Sequence, residues 1–178
     1  WYNYALVLIN QIQIENSQLD KINQDKAYIL YLLKNYEESI KECHKILKLD
    51  ERNSNVLNTL GLCFFNLQKY NDANEFLLKA LKIDKKNIKI LNSLGRLNHE
   101  IRKSEEAEIY FTKAYNINPD IFETLNNIAG FYLEESKYLK AADFYKKAES
   151  INPRNAVLLN NIAKTYICLE EIHKAELY

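Results

Sequence analysis

The chain has 178 residues, of which 47% are hydrophobic and 27% charged, as is typical of globular domains with a substantial core. Its 24 basic and 24 acidic side chains balance, which excludes a global field that would attract nucleic acid or an anionic membrane, so we expect neither as a partner. With only 3 Gly and 2 Pro, the composition excludes a fold of many strands and tight turns and favours long helices.

One series of residues recurs along the chain every 34 residues. A small residue preceded by large apolar ones occupies positions 61, 95 and 129, and alanine occupies positions 73, 107 and 141. Apolar residues three and four apart mark one face of a helix, so each series predicts an amphipathic helix, and the two together predict a helical pair. Small residues let the two backbones approach closely.

We predict one solenoid domain over residues 1–178. In chain order it comprises the second half of a repeat at 1–19, full repeats at 20–53, 54–87, 88–121 and 122–155, and a truncated repeat at 156–178. The first segment is placed by Tyr2, Ala5, Ile9 and Ile12, which align with the second helix of later repeats. Pro119 and Pro153 should end second helices, because proline cannot continue a helix.

This pattern of small crossing residues, neighbouring aromatics and a terminal proline resembles the tetratricopeptide repeat over the whole chain. The resemblance implies an all-α, right-handed superhelical solenoid of antiparallel helix pairs. Two features depart from the family. Asn98 stands where an aromatic is usual, and Gln68, Arg102, Ser136 and Glu170 stand where glycine is common in the turn within each repeat.

In such an array the resemblance implies that the first helix of each pair lines a concave groove. Residues at i, i+3, i+7 and i+10 form the stripe beside the core face. This stripe carries an asparagine ladder at 34-residue intervals, Asn58, Asn92, Asn126 and Asn160, which Asn127 and Asn161 widen. The latter two positions are those of the repeated asparagine in asparagine-lined grooves of the family.

Asparagine is a mediocre helix former, so four in register on an exposed stripe call for an explanation. A carboxamide offers donors and an acceptor, which suits the alternating N–H and C=O groups of an extended peptide. Two alternatives remain open: the ladder was inherited from a duplicated ancestor, or it bonds neighbouring repeats to each other.

The rest of the predicted groove is uneven. Its first half is aromatic and apolar, and its middle is basic; the residues are Tyr28, Tyr31, Leu62 and Phe65, then Lys89, Arg96 and His99. A partner with an apolar anchor followed by an acidic residue would suit this order. Alternatively, Tyr28 and Phe65 pack between neighbouring helices, and the basic residues are a solvated face.

The cysteines, Cys43, Cys63 and Cys168, are far apart and odd in number, which favours a reducing compartment, and we expect a cytoplasmic protein. The chain begins at Trp1 and contains no Met, so we expect a fragment of a longer array whose C-terminal end is uncapped.

The histidines, His44, His99 and His173, lie in different predicted repeats without metal-ligand spacing, and no phosphate loop or nucleophile motif is recognisable. We therefore expect no metal, no cofactor and no enzymatic activity. The leading hypothesis is a protein–protein interaction module that binds an extended or short helical peptide in its concave groove. The alternatives are a substrate-recognition arm of a larger glycosyl- or sulfotransferase, and a scaffold that self-associates end to end through the uncapped C-terminal end.

Overall fold

A computed structural model describes residues 16–178, with side chains described from Lys21 onward. Within this part of the chain there are ten helices and no strands. In order they are α1 (Asn16–Leu32), α2 (Tyr36–Leu49), α3 (Ser54–Asn66), α4 (Tyr70–Ile83), α5 (Ile88–Glu100), α6 (Ser104–Ile117), α7 (Phe122–Glu134), α8 (Tyr138–Ile151), α9 (Ala156–Cys168) and α10 (Ile172–Ala175). The prediction of an all-α chain of paired helices is confirmed. The half-repeat predicted at 1–19 lies almost wholly outside the described residues.

Short polar signals set the ends of these helices. Asn53 and Asn155 cap α3 and α9, each side-chain Oδ1 accepting a hydrogen bond from the backbone N–H three residues later, at 3.1 and 2.9 Å. Helices α6 and α8 end at Ile117 and Ile151, two residues before a proline, because the residue before proline avoids helical angles.

The turn inside each helical pair uses the left-handed region of backbone space. The second residue after the end of the first helix has a φ between 59° and 63° in all five described pairs, although none of these residues is glycine; they are Lys34, Gln68, Arg102, Ser136 and Glu170. In the second pair the N–H groups of Gln68 and Lys69 donate to the carbonyls of Phe65 and Phe64, both at 2.9 Å. Such bonds satisfy the last carbonyls of the helix, which offsets part of the strain.

The chain divides into two compact units, Trp1–Leu97 and Asn98–Tyr178. In the first, α1 packs on α2 and α3, and α3 packs on α4. Ser39 is fully buried, and its hydroxyl donates to the carbonyl of Ala27 at 2.7 Å, while the thiol of Cys63 donates to Ser39 Oγ at 3.2 Å. These bonds satisfy a polar residue at a position where later repeats have alanine.

In the second unit, α7 packs on α6 and α8, and α9 packs on α8 and α10. Its core is one cluster of buried side chains from these helices, including Phe111, Leu125, Ile128, Tyr145 and Leu158. The hydroxyl of Tyr132 at the edge of this core donates to Glu108 Oε1 at 2.8 Å. No helix in the described range 16–178 is long and apolar enough to cross a membrane.

Candidate functional site

The asparagine ladder occupies the same place in four first helices. Each of α3, α5, α7 and α9 has 13 residues, and its fifth residue is the ladder asparagine. Because these four helices begin at 34-residue intervals, each ladder asparagine has the same position relative to the start of its own helix.

The ladder is not uniformly exposed, in contrast to the expected stripe. Asn58 is 8% exposed and Asn92 only 1%, whereas Asn126, Asn127 and Asn161 are partly buried and Asn160 is exposed. The position of the ladder asparagine within its helix is the same in all four helices, but the burial of its side chain depends on which residues surround that helix. The four asparagines thus differ in their access to a partner.

Several of these amides contain a polar atom without a hydrogen bond to any described residue. They are Oδ1 of Asn58, Oδ1 of Asn126 and Nδ2 of Asn127, and each atom is itself buried. An unsatisfied buried polar atom costs about 1–3 kcal/mol, so native structures usually supply a partner. An acceptor on Asn126 and a donor on the next residue are the two groups that complement a peptide unit.

Within the first unit, a cleft of about 190 Å³ brings predicted site residues together. Its walls are α1, with Gln24, Asp25 and Tyr28, and α3, with Asn55, Val56, Asn58 and Thr59, and Lys89 contributes from α5. We call this the groove cleft. Sequence reasoning selects Tyr28, Asn58 and Lys89 but misses Asp25 and Thr59, although Asp25 lies one helical turn before Tyr28 and so on the same face.

The aromatic half of the predicted groove divides into exposed and packed residues. Tyr28 is 44% exposed, and its ring stacks on Tyr31 with centroids 5.8 Å apart. The ring of Phe65 packs against Tyr70 at 6.0 Å, and Leu62 is 9% exposed. Tyr28 therefore offers a surface to a partner, whereas Leu62 belongs to the core.

The three basic residues of α5 have different surroundings. Lys89 is exposed, whereas the guanidinium of Arg96 lies over the ring of Phe65, 5.4 Å from its centroid. His99 belongs to the second unit; its ring meets the edge of Phe131 at 5.2 Å, and its Nε2 is 3.8 Å from a carboxylate oxygen of Glu134 and of Glu135. Arg96 and His99 thus already have partners within the chain, and Lys89 is the most accessible basic side chain of the three.

The described residues include no group of three or more His, Cys, Asp or Glu side chains arranged to hold a metal ion. Cys43 and Cys63 are buried, and burial raises the pKa of their thiols to about 12 and about 11. A protonated, buried thiol is a poor nucleophile. Both side chains therefore act as small packing residues.

Comparison with known structures shows the same fold. A thermophilic tetratricopeptide protein of Thermus thermophilus, TTC0263, superposes with a TM-score of 0.85 at 18% identity, covering 93% of this chain and 91% of the other. The crystal structure of MamA gives 0.68 at 23% identity, covering 92% and 89%. YrrB, described as a tetratricopeptide protein with an unusual peptide-binding site, gives 0.62 at 20%, covering 86% and 79%.

Two family models, both described as "Tetratricopeptide repeat", match the chain. One matches residues 54–87, and the other matches residues 20–53, 88–121 and 122–155. A comparison with curated protein sequences finds no match. The family matches span most of the sequence, and the structural matches agree with them in fold. This chain belongs to the tetratricopeptide repeat family.

Proposed function

We propose that this chain binds an extended or short helical segment of a partner polypeptide along the ladder face of its first helices. Tetratricopeptide arrays are in general protein–protein interaction modules and non-catalytic scaffolds, and this chain belongs to that family. The proposal assigns the binding to particular residues.

The observation that carries the proposal is the groove cleft around Asn58. This side chain is only 8% exposed, its buried Oδ1 has no partner among the described residues, and the residue lines an open cleft. If the amide of Asn58 turns its Oδ1 toward the cleft, a backbone N–H from a bound segment would satisfy that acceptor, contributing ~0.5–1.5 kcal/mol net.

The two neighbours of Asn58 in the cleft suggest the side chains of the partner. Tyr28 offers an exposed ring, against which an apolar side chain would pack. Lys89, which also lines the cleft, offers an exposed ammonium group, which favours an acidic residue. A segment with an apolar residue followed by Asp or Glu fits this arrangement.

A random peptide library displayed on phage and selected against the whole chain tests the proposal. The selected peptide is then titrated against Asn58→Ala, Lys89→Glu and, as a matched control, Asn71→Ala, which removes an exposed asparagine from second helix α4. We expect Asn58→Ala to weaken binding about two- to tenfold, as loss of one hydrogen bond predicts, and Lys89→Glu to weaken it further. Equal affinity of all three variants would remove the groove cleft from the binding mechanism.

A second candidate, self-association through the C-terminal end, is favoured by exposed apolar side chains there. Val157 is 68%, Ile167 56% and Ile172 51% exposed. Light scattering over a range of concentrations tests it: a molar mass that rises with concentration, and returns to that of the monomer in Ile167→Glu, would support it, and a constant monomer mass would refute it.

A further inference from the structure

A second cleft lies between helices of the C-terminal unit. Its volume is about 240 Å³, and it is bordered by α6, α7 and α8. Five of its lining residues are aromatic, and we call it the aromatic cleft: Phe111, Tyr115, Phe131, Tyr132 and Phe144. It contains none of the ladder asparagines, so it is separate from the proposed peptide site.

The rings form a continuous lining. Phe111 contacts Phe131 at 5.7 Å between centroids, and Tyr132 contacts Phe144 at 5.7 Å. Tyr115 meets Phe144 edge-on at 5.5 Å. Phe111 and Phe131 are 2% exposed and form the floor, whereas Tyr115 and Phe144 are only partly buried and form the walls.

This aromatic set is confined to one place in the repeat array. Thirty-four residues earlier the same five positions hold Leu77, Leu81, Leu97, Asn98 and Tyr110, and a further 34 earlier they hold Cys43, Leu47, Cys63, Phe64 and Phe76. Thirty-four residues later they hold Tyr145, Glu149, Thr165, Tyr166 and Tyr178. The repeat scaffold therefore folds with one to three aromatics at these positions, and five rings are more than any of these equivalent sets contains.

Two lysines of α8 supply uncompensated positive charge at the cleft. Lys140 Nζ lies 5.0 Å from the ring centroid of Tyr132, and Lys147 Nζ lies 4.9 Å from that of Phe144. Both side chains are exposed, and neither forms an ion pair with any residue between Lys21 and Tyr178. The nearby carboxylate of Glu108 is engaged by the hydroxyl of Tyr132 and lies 3.7 Å from Lys137 Nζ.

The charge at position 140 differs from that of the preceding repeats. The equivalent residues of the three preceding full repeats are acidic: Glu38, Asp72 and Glu106. Lys140 therefore reverses the sign of the three preceding repeats, and the truncated repeat that follows also has a lysine here, Lys174. Among the described equivalents of this cleft, only this one combines the lysine with five aromatic rings. The two features coincide on one surface.

We propose that the aromatic cleft binds one aromatic side chain of a partner polypeptide, with carboxylates beside that side chain paired to Lys140 and Lys147. The cleft is smaller than the ~300–1,000 Å³ typical of small-molecule sites, so it suits a single side chain. An aromatic guest gains ring–ring contacts beyond its buried area. Acidic neighbours match the lysines, which selects against basic or neutral segments.

The probes are three synthetic peptides: one tryptophan between two pairs of glutamates, the same tryptophan between two pairs of lysines, and alanine between two pairs of glutamates. Each is titrated into the ¹⁵N-labelled whole chain to its solubility limit, and amide shifts are mapped. We expect saturable shifts confined to α6, α7 and α8 for the first peptide only, and weaker binding at high salt.

Two variants and a control locate the interaction. Thr112→Trp places a large side chain at an exposed position of the cleft wall, and Lys140→Glu with Lys147→Glu reverses the charge; either should weaken the first peptide at least about tenfold. Lys146→Glu, an exposed lysine on the same helix that does not line the cleft, should leave affinity within about twofold. Circular dichroism verifies that each variant is folded.

The proposal is overturned if the acidic tryptophan peptide produces no saturable shifts, if the basic peptide binds as well, or if the charge-reversed variant binds equally. These outcomes leave the groove cleft unaffected, because Asn58 and Lys89 lie in the other unit.

Discussion

At the scale of single residues, glycine marks where two helices touch. A Cβ on Gly61 would lie 2.7 Å from Leu77 Cγ and 3.3 Å from the carbonyl oxygen of Ala73. Leu77 is fully buried and cannot move aside without displacing its own neighbours. A Cβ on Gly130 would meet only Tyr145 Oη, at 3.7 Å, which is ordinary contact. The two glycines therefore have different physical roles.

We predict opposite effects of the same substitution at these two positions. Gly61→Ala should lower the free energy of unfolding by about 1–3 kcal/mol, because the added methyl overpacks the junction of α3 and α4. Gly130→Ala should raise it by up to about 1 kcal/mol, because alanine is the better helix former and its Cβ makes only an ordinary van der Waals contact with Tyr145 Oη. Urea unfolding of both variants measures the difference, and an equal loss in both would contradict this account of Gly61.

At the scale of the helical pair, the turn determines whether two helices can fold back on each other. All five described turns use a left-handed residue that is not glycine, which costs roughly 1–2 kcal/mol for an ordinary side chain. The absence of glycine from these turns is visible in the sequence. The structure adds that each turn keeps the left-handed geometry rather than changing to another turn type.

We predict that glycine at one such turn stabilises the chain. Gln68 has a φ of 59° and an exposed side chain, so Gln68→Gly should raise the free energy of unfolding by about 0.5–1 kcal/mol, the relief of strain less the entropy that glycine loses on folding. Gln68→Ala is the control, since alanine keeps the Cβ and the strain. Equal stability of the two variants in thermal and urea unfolding would show that the turn is not strained.

At the scale of the whole molecule, buried tyrosines link stability to pH. Burial raises the pKa of Tyr132 to about 12, aided by the carboxylate of Glu108, and burial raises that of Tyr145 to about 12, aided by Glu134. An ordinary tyrosine loses its proton near pH 10. Between these two pH values the native chain therefore binds more protons than the unfolded chain.

We predict that the contribution of these two tyrosines to the free energy of unfolding is fully present below about pH 10. That contribution is lost as the pH rises from about 10 to about 12. Urea unfolding at a series of pH values, monitored by circular dichroism, measures the slope. Tyr132→Phe removes one of the two groups and should reduce that slope. A free energy of unfolding that stays constant from about pH 9 to about pH 12 would contradict the assignment.

Much of the fold could be predicted from the sequence because the relevant signals are local. The 34-residue period, the prolines after second helices and the helix-capping asparagines act within a few residues of chain, where a helix forms its own hydrogen bonds. The equal lengths of the four first helices α3, α5, α7 and α9 follow from the same period. Membership of the family and the all-α fold therefore follow from the sequence alone.

The candidate site was less predictable, because burial is decided by helices distant in sequence. The repeat places Asn58 and Asn160 identically, yet one is buried beside a cleft and the other is exposed. Leu62 has the same helical phase as Tyr28 but lies in the core. Sequence spacing specifies the direction of a side chain on its own helix and not what packs against it.

The sequence by itself determined the repeat, the helices and their turns, through short-range spacing and backbone preferences. Only the tertiary structure decided which asparagine borders a cleft, which basic residue stays accessible, and that five aromatic side chains from three helices line one surface beside Lys140 and Lys147. The physical reason is that accessibility and ring contacts arise between residues far apart in the chain, as between Phe111 and Phe131 or Tyr28 and Lys89.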